Sequence, residues 1–162
     1  MNPNLILLTF VLLAVANSAP VVASAIFGQT AAWPLDFNRV FHDGQPVFGP
    51  SKTIRGVAVA IAGTACAAPL IGLSWRSGAL IAAASMAGDL LSSFVKRRLR
   101  MPSSSRALFL DQIPESLFGA LAARLALPLT PPDIVVTMLV FFAAQVVFSR
   151  LSYQIGLRKE PY

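Results

Sequence analysis

The sequence predicts an all-α fold: a bundle of five transmembrane helices forming a single polytopic membrane domain over residues 1–162. Three observations carry this. Hydrophobic residues make up 56% of the chain and charged residues 12%, about half the usual charged share of a soluble domain. Mean hydropathy is +0.68. The apolar residues fall in long uncharged runs, 23 residues from Leu5 to Phe27 and 20 from Gly56 to Trp75, and a bilayer-spanning helix needs about 20. Polar content is too low for disorder, and the single Cys66 excludes a disulfide scaffold.

The expected spans are 5–27, 56–75, 77–95, 113–129 and 134–151. They are helices because backbone groups cannot go unpaired in lipid. The first carries Pro20, which cannot donate to Ala16 and predicts a kink beside Asn17. A tight turn at Trp75-Arg76-Ser77 joins the second and third. Thr130-Pro131-Pro132-Asp133 joins the fourth and fifth, with Asp133 able to cap the latter. Cys66, mid-helix among Ala and Thr, reads as inert packing.

Basic residues orient the bundle. Residues 28–55 hold Arg39, Lys52 and Arg55. Residues 96–112 hold Lys96, Arg97, Arg98, Arg100 and Arg106. The tail adds Arg150, Arg158 and Lys159. Eleven of the thirteen Lys and Arg thus lie on one side. Cytoplasmic loops hold the Lys/Arg excess, so the two long loops and the C-terminus are expected to face the cytoplasm and the N-terminus to face out. Met1-Asn2-Pro3-Asn4 lacks the basic start of a signal peptide, so the first span reads as retained in the cytoplasmic membrane. The net charge of +6 suits topology and anionic headgroups, and equally a polyanion such as a nucleotide phosphate. No soluble module presents a basic face to nucleic acid.

The polar residues cluster at the cytoplasmic side. Asp89 lies seven residues before Lys96, about 10 Å inside the helix end. A carboxylate at that depth costs a few kcal/mol unless paired or hydrated. Asp89, Ser92, Ser93 and Lys96 follow an i, i+3, i+4, i+7 spacing and form one polar stripe. An Asp89–Lys96 pair stitching the helix is the structural alternative to a functional acid. Asp111 and Glu115 share a helix face four residues apart, and Asp111 can also cap the fourth helix with Pro114 in its first turn. The run Gly49-Pro50-Ser51-Lys52-Thr53 superficially resembles a P-loop, but only two residues separate Gly49 from Lys52 and no strand precedes it. It reads as a turn into the N-terminus of the second helix, where backbone N–H groups, Lys52, Thr53 and Arg55 could bind phosphate. His42 is the only histidine, so no Ser-His pairing or zinc set can be assembled. Chemistry must run on carboxylates, cations and a metal, which suits phosphoryl or nucleotidyl transfer.

Gly88-Asp89-Leu90-Leu91-Ser92-Ser93-Phe94-Val95-Lys96-Arg97-Arg98, followed by Leu110-Asp111-Gln112, resembles the signature of the membrane CTP-dependent lipid cytidylyltransferases (the phosphatidate cytidylyltransferase superfamily). The chain is most similar there to the CDP-archaeol synthase family and its bacterial relatives. Asn17-Ser18-Ala19-Pro20, Trp33-Pro34-Leu35-Asp36 and Asp43-Gly44 through Arg55-Gly56 extend the likeness. The resemblance implies that CTP and a lipid phosphate give CDP-lipid and pyrophosphate with Mg²⁺, or Mn²⁺ in its place. It implies Asp89 and Asp111 as metal-binding and, with Lys96, catalytic residues. Lys52, Arg55, Lys96 and Arg97 would hold phosphate oxygens, and Asn17 would line the polar cavity. Thr53, Ser92, Ser93 and Glu115 complete the candidate substrate-binding set. Lipid tails would enter laterally between helices, with the active site at the cytoplasmic face. The chain departs from the wider superfamily at Pro114, where a second Asp is usual, and at Ser105-Arg106-Ala107-Leu108-Phe109, where the phosphatidate-using branch is Gly-rich. Glu115, one residue on, is placed to take over the acidic role. A small ion-coupled transporter using Asp89 and a non-catalytic lipid-binding protein are the alternatives. The outer halves of the helices are nearly pure Ala, Leu, Val and Ile, and the charged set is intact, which disfavours both. A homodimer is compatible with the sequence, and the lipid phosphate itself is left open.

Overall fold

The computed structural model describes residues 1–103, 105, 107 and 109–154, with side chains through 149. Arg106, Arg158 and Lys159 of the basic set lie outside the described residues, as does the side chain of Arg150. Five α-helices follow in the expected order: α1 Pro3–Phe27, α2 Ile54–Ala67, α3 Trp75–Arg98, α4 Gln112–Ala123 and α5 Pro131–Gln154.

Four of the five, α1, α2 with its 3₁₀ extension Ala68–Ile71, α3 and α5, are long and apolar enough to cross a membrane. The chain is therefore a multi-pass membrane protein. α4 differs from its expected span of 113–129. It ends at Ala123, about 18 Å of helix at 1.5 Å per residue against a hydrocarbon core of roughly 30 Å. The cause is Pro128, which disfavours helical geometry at Leu127 and whose ring would clash with the carbonyl of Arg124. The stretch to Leu129 completes the path as turns.

Capping residues define the helix starts. The Asn2 carboxamide accepts from the Asn4 and Leu5 amides, and Thr53 accepts from Gly56 at 3.0 Å. The α2–α3 turn falls one step earlier than expected. Gly72 takes a left-handed φ of +81°, and Ser74 caps α3 so that Trp75 is already helical. Asp133 does serve α5, accepting from the Thr130 amide and hydroxyl in the manner of a capping box. Its other oxygen accepts from the Asn2 amide at 2.9 Å, which ties the start of α1 to the start of α5. α1 stays helical through Pro20.

α3 packs against α1, α2 and α4. Glycines permit these contacts. A Cβ on Gly88 would lie 2.2 Å from the Pro114 carbonyl oxygen, and one on Gly78 would lie 2.5 Å from the Thr64 carbonyl oxygen. Leu12, Leu13, Ile81, Ala120, Ala123 and Phe141 form the core, towards the end of the bundle that holds the short turns. Cys66 is exposed on α2 rather than packed.

The opposite end carries the long connections, and the first of these is a built structure. The main chain at 33–35 pairs with 52–54 through Leu35 N–H to Lys52 O and Ile54 N–H to Trp33 O. Buried Asp36 accepts from the Phe48 and Gly49 amides, both at 2.9 Å. Arg98 locks this loop to α3. It pairs with Asp43 at 2.9 Å, donates to the Gln45 and Pro46 carbonyls and lies over Phe41 and Phe94.

Candidate active site

At the loop-bearing end a cavity of about 470 Å³ opens between α1, α3, α4 and α5. Eight of the eleven candidate residues line it: Asn17 from α1, Lys52 from the first loop, Asp89, Ser93, Lys96 and Arg97 from α3, Asp111 at the head of α4, and Glu115. Thr53 and Arg55 line an adjoining cavity of about 360 Å³ that shares Lys52 and Asp89 with the first. Ser92 belongs to neither. It is fully buried on α3 and donates back to the Gly88 carbonyl at 3.0 Å.

The charges pair between elements, and the Asp89–Lys96 pair weighed as the structural alternative does not form. Asp89 does not reach Lys96 along its own helix; it meets Lys52, with Nζ 2.5 Å from Oδ2. Lys96 instead meets Asp111 at 2.7 Å and donates to the Ser105 carbonyl at 2.8 Å. Tertiary placement wins because a lysine from a facing loop approaches the carboxylate end-on, without bending back along its own helix. Asp111 occupies the N-cap position of α4, yet its side chain makes no capping bond. It accepts from the Ala107 amide at 3.0 Å and turns its other oxygen to Lys96. Capping therefore does not account for this acid.

Glu115 is 3% exposed. The Asn17 carboxamide donates to both of its oxygens, at 2.7 and 2.9 Å, joining α1 to α4 across the cavity. Gly88 sets the depth of this arrangement. Its Cα rests on the Pro114–Glu115 peptide, so Asp89 and Glu115 each adjoin a main-chain contact between α3 and α4. Arg97 is 4% exposed and donates to the Pro102 carbonyl at 2.8 Å. Arg55 is turned outward to the Gly28 and Thr30 carbonyls at the end of α1. It braces the turn into α2 rather than joining Lys52.

Sequence reasoning passed over Gln145 and Ser149, which bring α5 into the cavity wall. The available signal was two polar side chains, four residues apart, on one face of an otherwise apolar helix. Gln145 and Asn17 also line a third cavity, about 610 Å³ and apolar, between α1 and α5. Phe10, Ala14, Val140, Ala144 and Phe148 form its walls.

Among the described residues, no three His, Cys, Asp or Glu side chains converge closely enough to hold a metal ion by themselves. The donor set nevertheless suits Mg²⁺, which typically takes one or two carboxylates and completes its shell with substrate phosphates and water. Asp89 and Asp111 both line the cavity and supply two such carboxylates.

A family model described as CarS-like, CDP-archaeol synthase, matches residues 74–162. The chain is 36% identical over 157 residues to the CDP-archaeol synthase of Pyrobaculum calidifontis, covering 91% of each chain. It is 34% identical over 160 residues to that of Aeropyrum pernix, covering 91% of this chain and 86% of the relative. A solved structure described as an intramembrane enzyme for archaeal membrane lipids biosynthesis matches with a TM-score of 0.76. Its identity is 28%, over 86% of this chain and 89% of that one. With a sequence shared over 91% of its length and a fold over 86%, the protein belongs to the CDP-archaeol synthase family.

Proposed function

We propose that the 470 Å³ cavity is where this CTP-dependent cytidylyltransferase joins CTP to a membrane lipid phosphate, giving CDP-lipid and pyrophosphate. The observation that carries the reading is the meeting of Asp89, Asp111 and Glu115 with Lys52, Lys96 and Arg97 in one cavity that adjoins an apolar groove. An oxygen of the lipid phosphate attacks the α-phosphorus of CTP. A new P–O bond forms, the bond to the bridging α–β oxygen breaks, and pyrophosphate leaves with that electron pair. The nucleophile is already anionic, so no general base is required, which agrees with a site holding neither His nor Cys.

What such a reaction needs is alignment and charge neutralisation. Lys52, Lys96 and Arg97 supply positive charge for the triphosphate and the lipid phosphate. Asp89 and Asp111 would hold Mg²⁺, which when bound supplies Lewis-acid neutralisation of phosphoryl oxygens. Glu115, held by Asn17, stands behind these two as a third acid. The groove between α1 and α5 takes the hydrocarbon chains and places the headgroup beside Asn17 and Gln145. The loops and the C-terminus face the cytoplasm, where CTP is available, on the strength of the basic asymmetry.

The test is direct. Purified protein is incubated with labelled CTP, Mg²⁺ and a panel of ether-linked, ester-linked and polyprenyl phosphates, and CDP-lipid and pyrophosphate are measured. Equimolar products from one lipid class, lost in Asp89→Asn, are the expected result. No product from any class, with folded protein, would end the assignment.

A further inference from the structure

The two metal-holding candidates are already matched by cations of the protein itself. Lys52 Nζ stands 2.5 Å from Asp89 and Lys96 Nζ stands 2.7 Å from Asp111. The side chains of the first pair are only 24% and 21% exposed, and those of the second 9% and 23%, so water screens neither contact fully. An ammonium at contact distance cancels the charge that would attract a divalent ion. A free ion must displace the lysine and then share a confined, partly buried space with it. Two like charges held together in such surroundings repel strongly.

A triphosphate changes the balance. It offers each displaced ammonium a new anionic partner and brings its own oxygens to the ion. Lys52 and Lys96 border the same cavity as the carboxylates they occupy, so the exchange needs side-chain rotation and no helix movement.

We propose that Lys52 and Lys96 are exchangeable counterions that close Asp89 and Asp111 to a free divalent cation and release them only when nucleotide phosphates arrive. This rests on the reading of Asp89 and Asp111 as the metal-holding pair. Both lysines then act as positioning residues for the ion as well as contacts for phosphate. Metal and nucleotide bind with positive coupling, and the coupling is reciprocal. The site does not fill with metal alone.

Removing a lysine should therefore shift two affinities in opposite directions. The full-length protein in detergent is titrated with Mn²⁺ without nucleotide, and free Mn²⁺ is read by electron paramagnetic resonance. Lys52→Gln should bind Mn²⁺ alone about tenfold or more tightly than wild type, while its affinity for CTP falls. Lys96→Gln should shift the same way, so a folding failure in one variant leaves the other decisive. Lys52→Arg keeps the charge and should return Mn²⁺ binding to the wild-type level. A merely structural lysine would not give tighter metal binding when removed. Equal or weaker Mn²⁺ binding in both Gln variants overturns the exchange, even where the wild type shows CTP-supported, Asp89-dependent Mn²⁺ binding. A gain that survives in Lys52→Gln/Asp89→Asn overturns the placement of the ion on Asp89, and the proposal with it.

Discussion

Asp36 sits outside the cavity, yet the first loop is organised around it. Burial opposes its ionisation, but the amides of Gly49, Phe48 and Asn38 outweigh this and hold its carboxyl below the ordinary value of 3.8. The stabilisation is therefore fully present above pH 3.8 and is lost as pH falls through the lower folded value. Asp36→Asn removes the charge from these bonds at neutral pH. Hydrogen exchange at the Phe48 and Gly49 amides should then accelerate by about tenfold, the equivalent of roughly 1.4 kcal/mol. Unchanged exchange would mean that the Pro34–Thr53 pairing holds the loop without Asp36. Deeper in, Asn17 and Glu115 act as one unit. Asn17→Ala and Glu115→Gln should each lower thermal stability in detergent by about 1–3 kcal/mol, and the double variant should fall well short of the sum. Additive losses would show that the two side chains are independent. Asp89, Asp111, Lys52 and Lys96 were legible in the sequence because a charge inside or beside an apolar run has to be explained. Their pairing was not, because it depends on which loop lies over which helix. Gln145 went unremarked because one amide in an apolar helix also serves as interhelical glue.

At the scale of elements, the α3–α4 contact is made by main chain. Gly88 has no room for a methyl group, since its Cβ would lie 2.2 Å from the Pro114 carbonyl oxygen and 2.7 Å from the Glu115 nitrogen. Gly88→Ala should cost about 1–3 kcal/mol through overpacking and should lower activity by moving Asp89 against Glu115. Gly63→Ala is the control. Its Cβ would meet Ala19 at an ordinary 3.6 Å, and alanine gains up to about 1 kcal/mol of helix propensity. Thermal unfolding and turnover of the two variants should diverge; equal behaviour would mean that the helices part easily at Gly88. Helix order and the long spans were legible, because periodicity is weak but uninterrupted apolar length is not. The end of α4 was misjudged because hydropathy runs on through Leu125, Ala126 and Leu127, whereas Pro128 acts on backbone geometry.

For the whole molecule, the charge asymmetry and the fold agree on which ends lie together. The starts of α1 and α5 are bonded through Asn2 and Asp133, and both long connections gather at the opposite end. In a Cys66→Ala background, Leu125→Cys, at a position 79% exposed, should react with an impermeant thiol reagent in intact cells. Leu99→Cys, 63% exposed, should react only after lysis. The reverse pattern would place the cavity on the outer face. The main-chain contact at Gly88 has a further consequence, for the response to heat. It clamps the helices bearing Asp89 and Glu115, whereas Lys52 and the partner of Lys96 are carried by connections. Asp89, Glu115 and Lys96 belong to the helical frame, and Lys52 and Asp111, carried by the connections, form its adjustable part. On warming, the connections should loosen before the helices separate. Apparent affinity for CTP would then decline over a temperature range where the bundle, followed by circular dichroism, is still intact and maximal turnover is still rising.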